Sequence, residues 1–248
     1  MNLEEALLTQ LAQHANAAHA KHAVSYHKSS FPILGCSMPA LRSIATHTWD
    51  DAAKNRSHSR IRTIATKTWK ATNSHEVMTI CLLYFSNRKS ENTLADWRVL
   101  KTWAQKIDNW AHSDMLSDIY ADLFDRHREL YDTFQTWNAN RHPWKRRLSL
   151  TSLYYYSSMR KNPLSAKRVL PLVRARLHDE HFYVQRAVGW TLRECGNLHP
   201  KPTEAFVQKY VHDLSSIAFT TATERWQKQK KNPLLKHRKD ARKRQSAN

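Results

Sequence analysis

Apolar residues recur along this chain at helical spacing. Leu3, Ala6, Leu7, Leu11 and Ala15 fall at steps of three and four, which predicts an amphipathic helix over 2–22. Pro32 and Gly35 then break the pattern, and Ser37 before Met38 and Pro39 reads as an N-cap with proline early in the first turn. The spacing of Leu41, Ile44, Ala45 and Trp49 predicts a helix over 38–54, and that of Ile61, Ile64, Ala65 and Trp69 another over 58–70. The stretch after Ser74, EVMTICLLYFS, is apolar almost throughout and predicts a buried helix. Further helices are predicted at 92–106, 109–126, 128–139, 143–157, 165–177, 181–194, 202–213 and 217–226, joined by short connections of the kind that link antiparallel neighbours.

Two segments resemble each other. HPWKRRLSLT at 142–151 and HFYVQRAVGWT at 181–191 each place a His, an aromatic residue two positions on and an Arg three after that. Trp144 pairs with Tyr183, and Arg147 with Arg186, at a period of about 39 residues, the length of a two-helix HEAT-type repeat. The expected fold class is therefore all-α, a HEAT-like helical repeat. Its scarcity of glycine, 3 residues in 248, points the same way, because strands in tight hairpins and phosphate-cradling loops consume more.

Charge changes the picture most. The formal net charge is +19 and the pI about 10.1, a bias that solubility does not require and that implies a polyanionic partner, nucleic acid before an anionic membrane surface. No apolar run is long enough to cross a bilayer, and the N-terminus lacks the basic segment of a signal peptide, so a cytoplasmic protein is expected. Cys36, Cys81 and Cys195 are far apart and odd in number, which suits free thiols, and the 15 His show no metal-ligand spacing. Residues 1–226 are expected to form the helical domain, and 227–248 a flexible basic tail that adds non-specific electrostatic affinity.

Three elements stand out beyond packing. Trp110 and Asp114 lie one helical turn apart, setting a carboxylate beside an aromatic face, a pairing suited to a cationic substrate. Arg146 and Arg147 share a helix, and Phe182, Tyr183, Arg186, Trp190 and Arg193 form the third group. Taken singly, each has a plainer reading: Trp190 as core, Asp114 as a surface carboxylate, the arginines as a solvated face.

Together these residues resemble the AlkD family of DNA alkylation-repair glycosylases. HFYVQRAVGWTLRE at 181–194 is similar to that family's helix with an aromatic pair followed by Q-K/R-A-x-G-W-x-L-R-E. The W-x-x-x-D of Trp110 and Asp114 resembles its catalytic helix, and Trp144 to Arg147 its phosphate-binding helix. Tyr26 with FPILGCSMPALR resembles its N-terminal stretch, so the likeness spans about residues 20–226. There are departures: Tyr154, Tyr155 and Tyr156 stand where some relatives carry a lysine, and Ser37 where some carry Gln.

The resemblance implies a curved superhelix whose concave face holds duplex DNA. It implies hydrolysis of the N-glycosidic bond of N3- or N7-alkylated purines such as 3-methyladenine and 7-methylguanine, with the lesion left in the duplex. It assigns catalysis to Trp110, Asp114 and Trp190, phosphate binding to Arg147, and the DNA-facing cleft to Tyr26, Phe182 and Tyr183. Arg186 and Arg193 join the DNA contacts by their place on the same helix. The chemistry is consistent with this. A cationic purine leaves without a strong general acid, and a carboxylate steadies the positive sugar and handles the attacking water. No lysine nucleophile is evident, so no Schiff base, cofactor or metal is expected. The chain is expected to act as a monomer. Two alternatives remain open: a non-catalytic repeat scaffold that binds nucleic acid or protein, and a peripheral membrane or RNA-binding protein.

Overall fold

In a computed structural model, which describes the backbone of residues 3–245 and side chains as far as residue 240, the described chain is helical throughout, with fourteen α-helices, three short 3-10 turns and no strand. The described residues pack into two compact units that divide between Leu123 and Phe124.

The first unit holds α1 (Leu3–Ala12), α2 (Ala17–His27), α3 (Met38–Lys54), α4 (His58–Ala71), α5 (His75–Asn87), α6 (Leu94–Trp103) and most of α7 (Trp110–Arg126). The apolar run forms α5, which is buried from His75 to Phe85 and packs against α1, α3 and α4. Trp49 of α3 donates its indole N–H to the Ile80 carbonyl at 2.9 Å, satisfying a polar atom that the core would otherwise strand. Ser37, Ser57 and Ser74 accept the amide N–H three residues on and so start α3, α4 and α5. A capping box of Thr93 and Asp96 starts α6. Burial raises the Asp96 pKa, but hydrogen bonds from Thr93, His58 and Arg62 outweigh it and hold the carboxyl below its usual range.

The first predicted helix is two helices. Helix α1 ends at Ala12 although the apolar spacing runs on to Ala15, and Asn16 caps a new start by accepting the His19 amide at 3.0 Å. Gly35 follows at φ 80°, where a Cβ would sit 2.2 Å from the Asn16 carbonyl oxygen. Glu76 of α5 accepts the amides of Leu34 and Gly35 at 2.8 and 2.9 Å, and the Asn16 amide donates to the Leu34 carbonyl at 3.0 Å, so the connection to α3 is tied both to α5 and to the start of α2.

The second unit contains α8 (Tyr131–Asn138), α9 (Pro143–Thr151), α10 (Ala166–Arg174), α11 (Phe182–Leu198), α12 (Pro200–Lys209), α13 (Ser216–Ala222) and α14 (Lys228–Gln245). Helix α11 is its centre, packed on α9, α10, α12 and α13. The repeat read from 142–151 and 181–191 has a structural counterpart. Asn140 accepts the His142 amide at 2.9 Å and Asp179 accepts the His181 amide at 3.1 Å, so equivalent Asx turns lead into α9 and α11. The two repeat aromatics meet, with Trp144 stacked on Tyr183 at 5.1 Å.

The stretch expected as a flexible tail is helical over Lys228–Gln245 and tied to the second unit. Arg238 is buried, donates to the carbonyls of Val211 and Leu214, and lies 4.7 Å from the Phe219 ring centre. All three cysteines are free thiols, with Cys81 and Cys195 buried.

Helices α11 and α13 approach closely at Gly189. A Cβ there would lie 2.5 Å from the Ala218 carbonyl oxygen and 2.7 Å from Thr221 Cβ. Backbone cannot give way cheaply, so Gly189→Ala is expected to cost about 2 kcal/mol. A chain of this size would then lose roughly 4–8 °C in Tm. Thermal denaturation followed by circular dichroism measures this, and an unchanged Tm would show that the two helices have slack.

Candidate functional site

In the first unit, Trp110 opens α7 and is half-buried. Its indole N–H donates to the Tyr26 carbonyl at 3.1 Å, and its ring meets Tyr26 edge-on at 5.1 Å. Tyr26 is 56% exposed, so it presents its ring to solvent while its backbone holds the indole. Asp114, one turn along α7, is half-buried. The turn before α7 is fixed by Asp108. Its carboxylate accepts the Ser30 amide at 2.6 Å, the Ser30 hydroxyl at 2.8 Å and the Ser29 hydroxyl at 2.9 Å. The segment that follows Tyr26 and the end of α2 is thereby clamped to the residues before Trp110.

Behind Trp110 stand three imidazoles. His27 lies 5.2 Å from the indole and stacks on His75 at 5.1 Å, and His75 stacks on His112 at 4.2 Å. Burial, with the neighbouring His27 second, pushes the His75 pKa down to about 4. Burial also holds His112 well below its ordinary value and lowers His27. All three rings are neutral at pH 7. They stack face to face instead of converging, and among the described residues no cluster of His, Cys, Asp or Glu is placed to hold a metal ion.

In the second unit, Trp190 of α11 is half-buried against Tyr155 at 5.3 Å and Tyr156 at 6.2 Å, with the Arg193 guanidinium 5.6 Å from its ring centre. The tyrosine run noted as a departure is therefore the packing partner of Trp190. Glu194 holds that run in place, accepting the Ser157 amide at 2.9 Å and the Ser157 hydroxyl at 2.7 Å. Arg193 is itself held, by Glu194 at 3.1 Å and by Glu224. Arg147 is buried and donates to the Tyr183 carbonyl at 2.9 Å, so it ties α9 to α11. Its neighbour Arg146 is a structural residue, paired with Asp179 at 2.6 Å and capping Asn140 and Arg141. Phe182 is 52% exposed at the start of α11, and Arg186 is exposed one turn later.

A sequence model described as "DNA alkylation repair enzyme" matches residues 7–226. The chain belongs to this family. Solved structures share its fold. A protein from Enterococcus faecalis, described as a predicted DNA alkylation repair enzyme, superposes with a TM-score of 0.74 at 16% identity, over 86% of this chain and 97% of its own. AlkD2 from Streptococcus mutans gives 0.55 at 14% identity over 82% and 97%. The protein smu.31 from Streptococcus mutans UA159 gives 0.53 at 13% identity over 74% and 98%. Comparison with curated protein sequences gives no match. Among the described residues no helix is long and apolar enough to cross a membrane.

Within this family member, several residues that shape the two tryptophan environments carry no local sequence signal. Asp108, the His27–His75–His112 stack and Glu194 act through contacts far apart in sequence. Lys106, adjacent to the W-x-x-x-D motif, turns away from it. Its ammonium donates to the carbonyls of Trp69 at 2.9 Å and Lys70 at 3.1 Å and also to that of Thr72, closing the C-terminus of α4.

The imidazole stack makes stability depend on pH. Because His75 binds its proton less readily when folded than when unfolded, its contribution is complete above about pH 6.5 and is lost as the pH falls toward 4. A shift of this size corresponds to at most about 3 kcal/mol. His75→Phe preserves the stacked plane and removes the titration. Its Tm is expected to vary less steeply than that of the wild type between pH 6.5 and 4.5, and parallel profiles would remove His75 from this role.

Proposed function

We propose that this member of the family is a monofunctional glycosylase that hydrolyses the N-glycosidic bond of cationic N3- or N7-alkylated purines in duplex DNA. The observation that carries the reading is the Trp110–Asp114 turn of α7. It sets a carboxylate one turn from an indole that lies 5.2 Å from the His27 ring, whose pKa burial lowers. A His27 imidazolium 5.2 Å from that indole would oppose a cationic base at its face, and burial lowers the His27 pKa and so favours the uncharged ring.

In the proposed reaction, the bond between C1′ of the sugar and the purine nitrogen breaks, and its electron pair passes to the base and cancels the charge left by alkylation. The base leaves neutral, with no acid required. Asp114 stabilises the positive sugar electrostatically, orients a water toward C1′ and takes its proton as the new C–O bond forms. Trp110 and Trp190 offer aromatic faces to the electron-poor lesion. Tyr26, Phe182 and Tyr183 contact the DNA, Arg186 contributes exposed positive charge on α11, and Arg147 and Arg193 hold that helix through the Tyr183 carbonyl and through Glu194 and Glu224. No amine attacks the sugar, so the strand is left intact at an abasic site.

Release of 3-methyladenine and 7-methylguanine from methylated duplex DNA tests this. The wild type is expected to release free base, and Asp114→Asn to lose at least about 100-fold in single-turnover rate while still binding DNA. Binding by both proteins with base release by neither would leave a nucleic-acid scaffold as the function.

Arg186 supplies a separate check on the interface. It is exposed on α11, so Arg186→Gln is expected to weaken binding to all sequences alike and to reduce the slope of log K against log salt by about 0.9. An unaltered slope would take Arg186 off the phosphate backbone.

A further inference from the structure

The family match ends at residue 226, and α14 begins at Lys228. Residues 226–248 hold nine Lys or Arg against a single Asp, which is eight of the chain's nineteen net positive charges. Charge this dense, beyond the shared fold, belongs to an appended element and not to the repeats.

That element has a fixed orientation. Arg238 is buried to 7% exposure, its guanidinium donating to the Val211 and Leu214 carbonyls (2.7 Å for the latter) and resting on Phe219. At the other end Lys230 pairs with Glu204 and lies 4.6 Å from the Trp226 ring centre. His237 meets His212 at 4.5 Å. Three contacts along the helix thus select the side turned to the protein. Leu234 and Leu235, its only leucines, are half-buried.

The opposite side is cationic. Lys228, Lys236 and Lys239 are all exposed. At 100° per residue they fall within one arc of the helix, about 80° to 160° from Arg238. A helix that binds a membrane surface needs a broad free apolar face, and the described side chains of α14 form none. A row of exposed ammonium groups on a pinned helix instead suits the regularly spaced phosphates of a nucleic acid backbone.

We propose that α14 is an added DNA-backbone-binding helix, with Arg238 as its anchor and Lys228, Lys236 and Lys239 as its phosphate contacts. It supplies sequence-independent affinity for duplex flanking the lesion. The inference rests on the reading that the chain works on duplex DNA, but it does not require base excision.

The triple variant Lys228→Gln/Lys236→Gln/Lys239→Gln tests it, since it alters only exposed side chains. Binding to an undamaged DNA duplex is measured across a salt series, alongside single-turnover base release from methylated duplex at saturating protein. The slope of log K against log salt is expected to become shallower by about 2.7, three contacts at about 0.9 each, with the base-release rate unchanged. A slope equal to that of the wild type overturns the proposal. So does a variant that keeps its DNA slope but no longer sediments with phosphatidylglycerol vesicles, or one whose slope changes with RNA duplex and not with DNA. If neither protein releases base, the glycosylase reading fails, and the salt slope still decides the role of α14.

Discussion

A carboxylate that accepts the amide N–H of a distant loop is the interaction on which this protein leans most. A helical chain with three glycines has few residues able to turn sharply, and its connections need outside support. Asp108 takes the Ser30 amide, Glu76 those of Leu34 and Gly35, Asp125 those of Lys161 and Asn162, and Glu194 that of Ser157. A charged acceptor makes such a bond shorter and stronger than a neutral one. Each of these loops leads to or from a helix that carries a proposed functional residue or its packing partner. Tyr26 precedes the loop held by Asp108, and Tyr155 and Tyr156 precede the residue held by Glu194.

The same habit explains the electrostatics. The chain has 21 acidic residues, and Asp96, Asp179, Glu76 and Glu194 lie inside it or are enclosed by arginine, serine and backbone donors. Burial raises the Asp179 pKa, but Arg146 and the His181 amide more than offset this and keep it ionised. These four acids serve the architecture, and across the whole chain 40 lysines and arginines outnumber 21 acids.

Much of the molecule was legible in the sequence, for definite reasons. Helix starts at Ser37 and Ser74 are local chemistry, and the buried α5 follows from an unbroken apolar run. The repeat at 142–151 and 181–191 was visible because both copies use the same turn into the same helix. The split of the first helix at Ala12 was missed, since its apolar spacing continues through residue 15 and only the Asn16 cap marks the new start. Arg146 and Arg147 look alike in sequence, yet Asp179 claims the first and the Tyr183 carbonyl the second, and those partners lie more than thirty residues away. The imidazole stack was invisible for the same reason: His27, His75 and His112 come from three helices and share no spacing. The basic C-terminal stretch suggested mobility by composition, and the partners that dock it, the Val211 and Leu214 carbonyls, Glu204 and His212, lie in other helices and turns.

Tyr156 adopts φ 54°, a left-handed backbone that a bulky side chain enters at a cost of about 1 kcal/mol or more and glycine enters freely. A chain selected for an easy turn would carry glycine there. Retaining a ring, 49% exposed and edge-on to Trp190, means the position is chosen for its surface and not for its bend. The turn is a small reserve of unfavourable energy, held by the buried glutamate beside it, that keeps an aromatic edge on display.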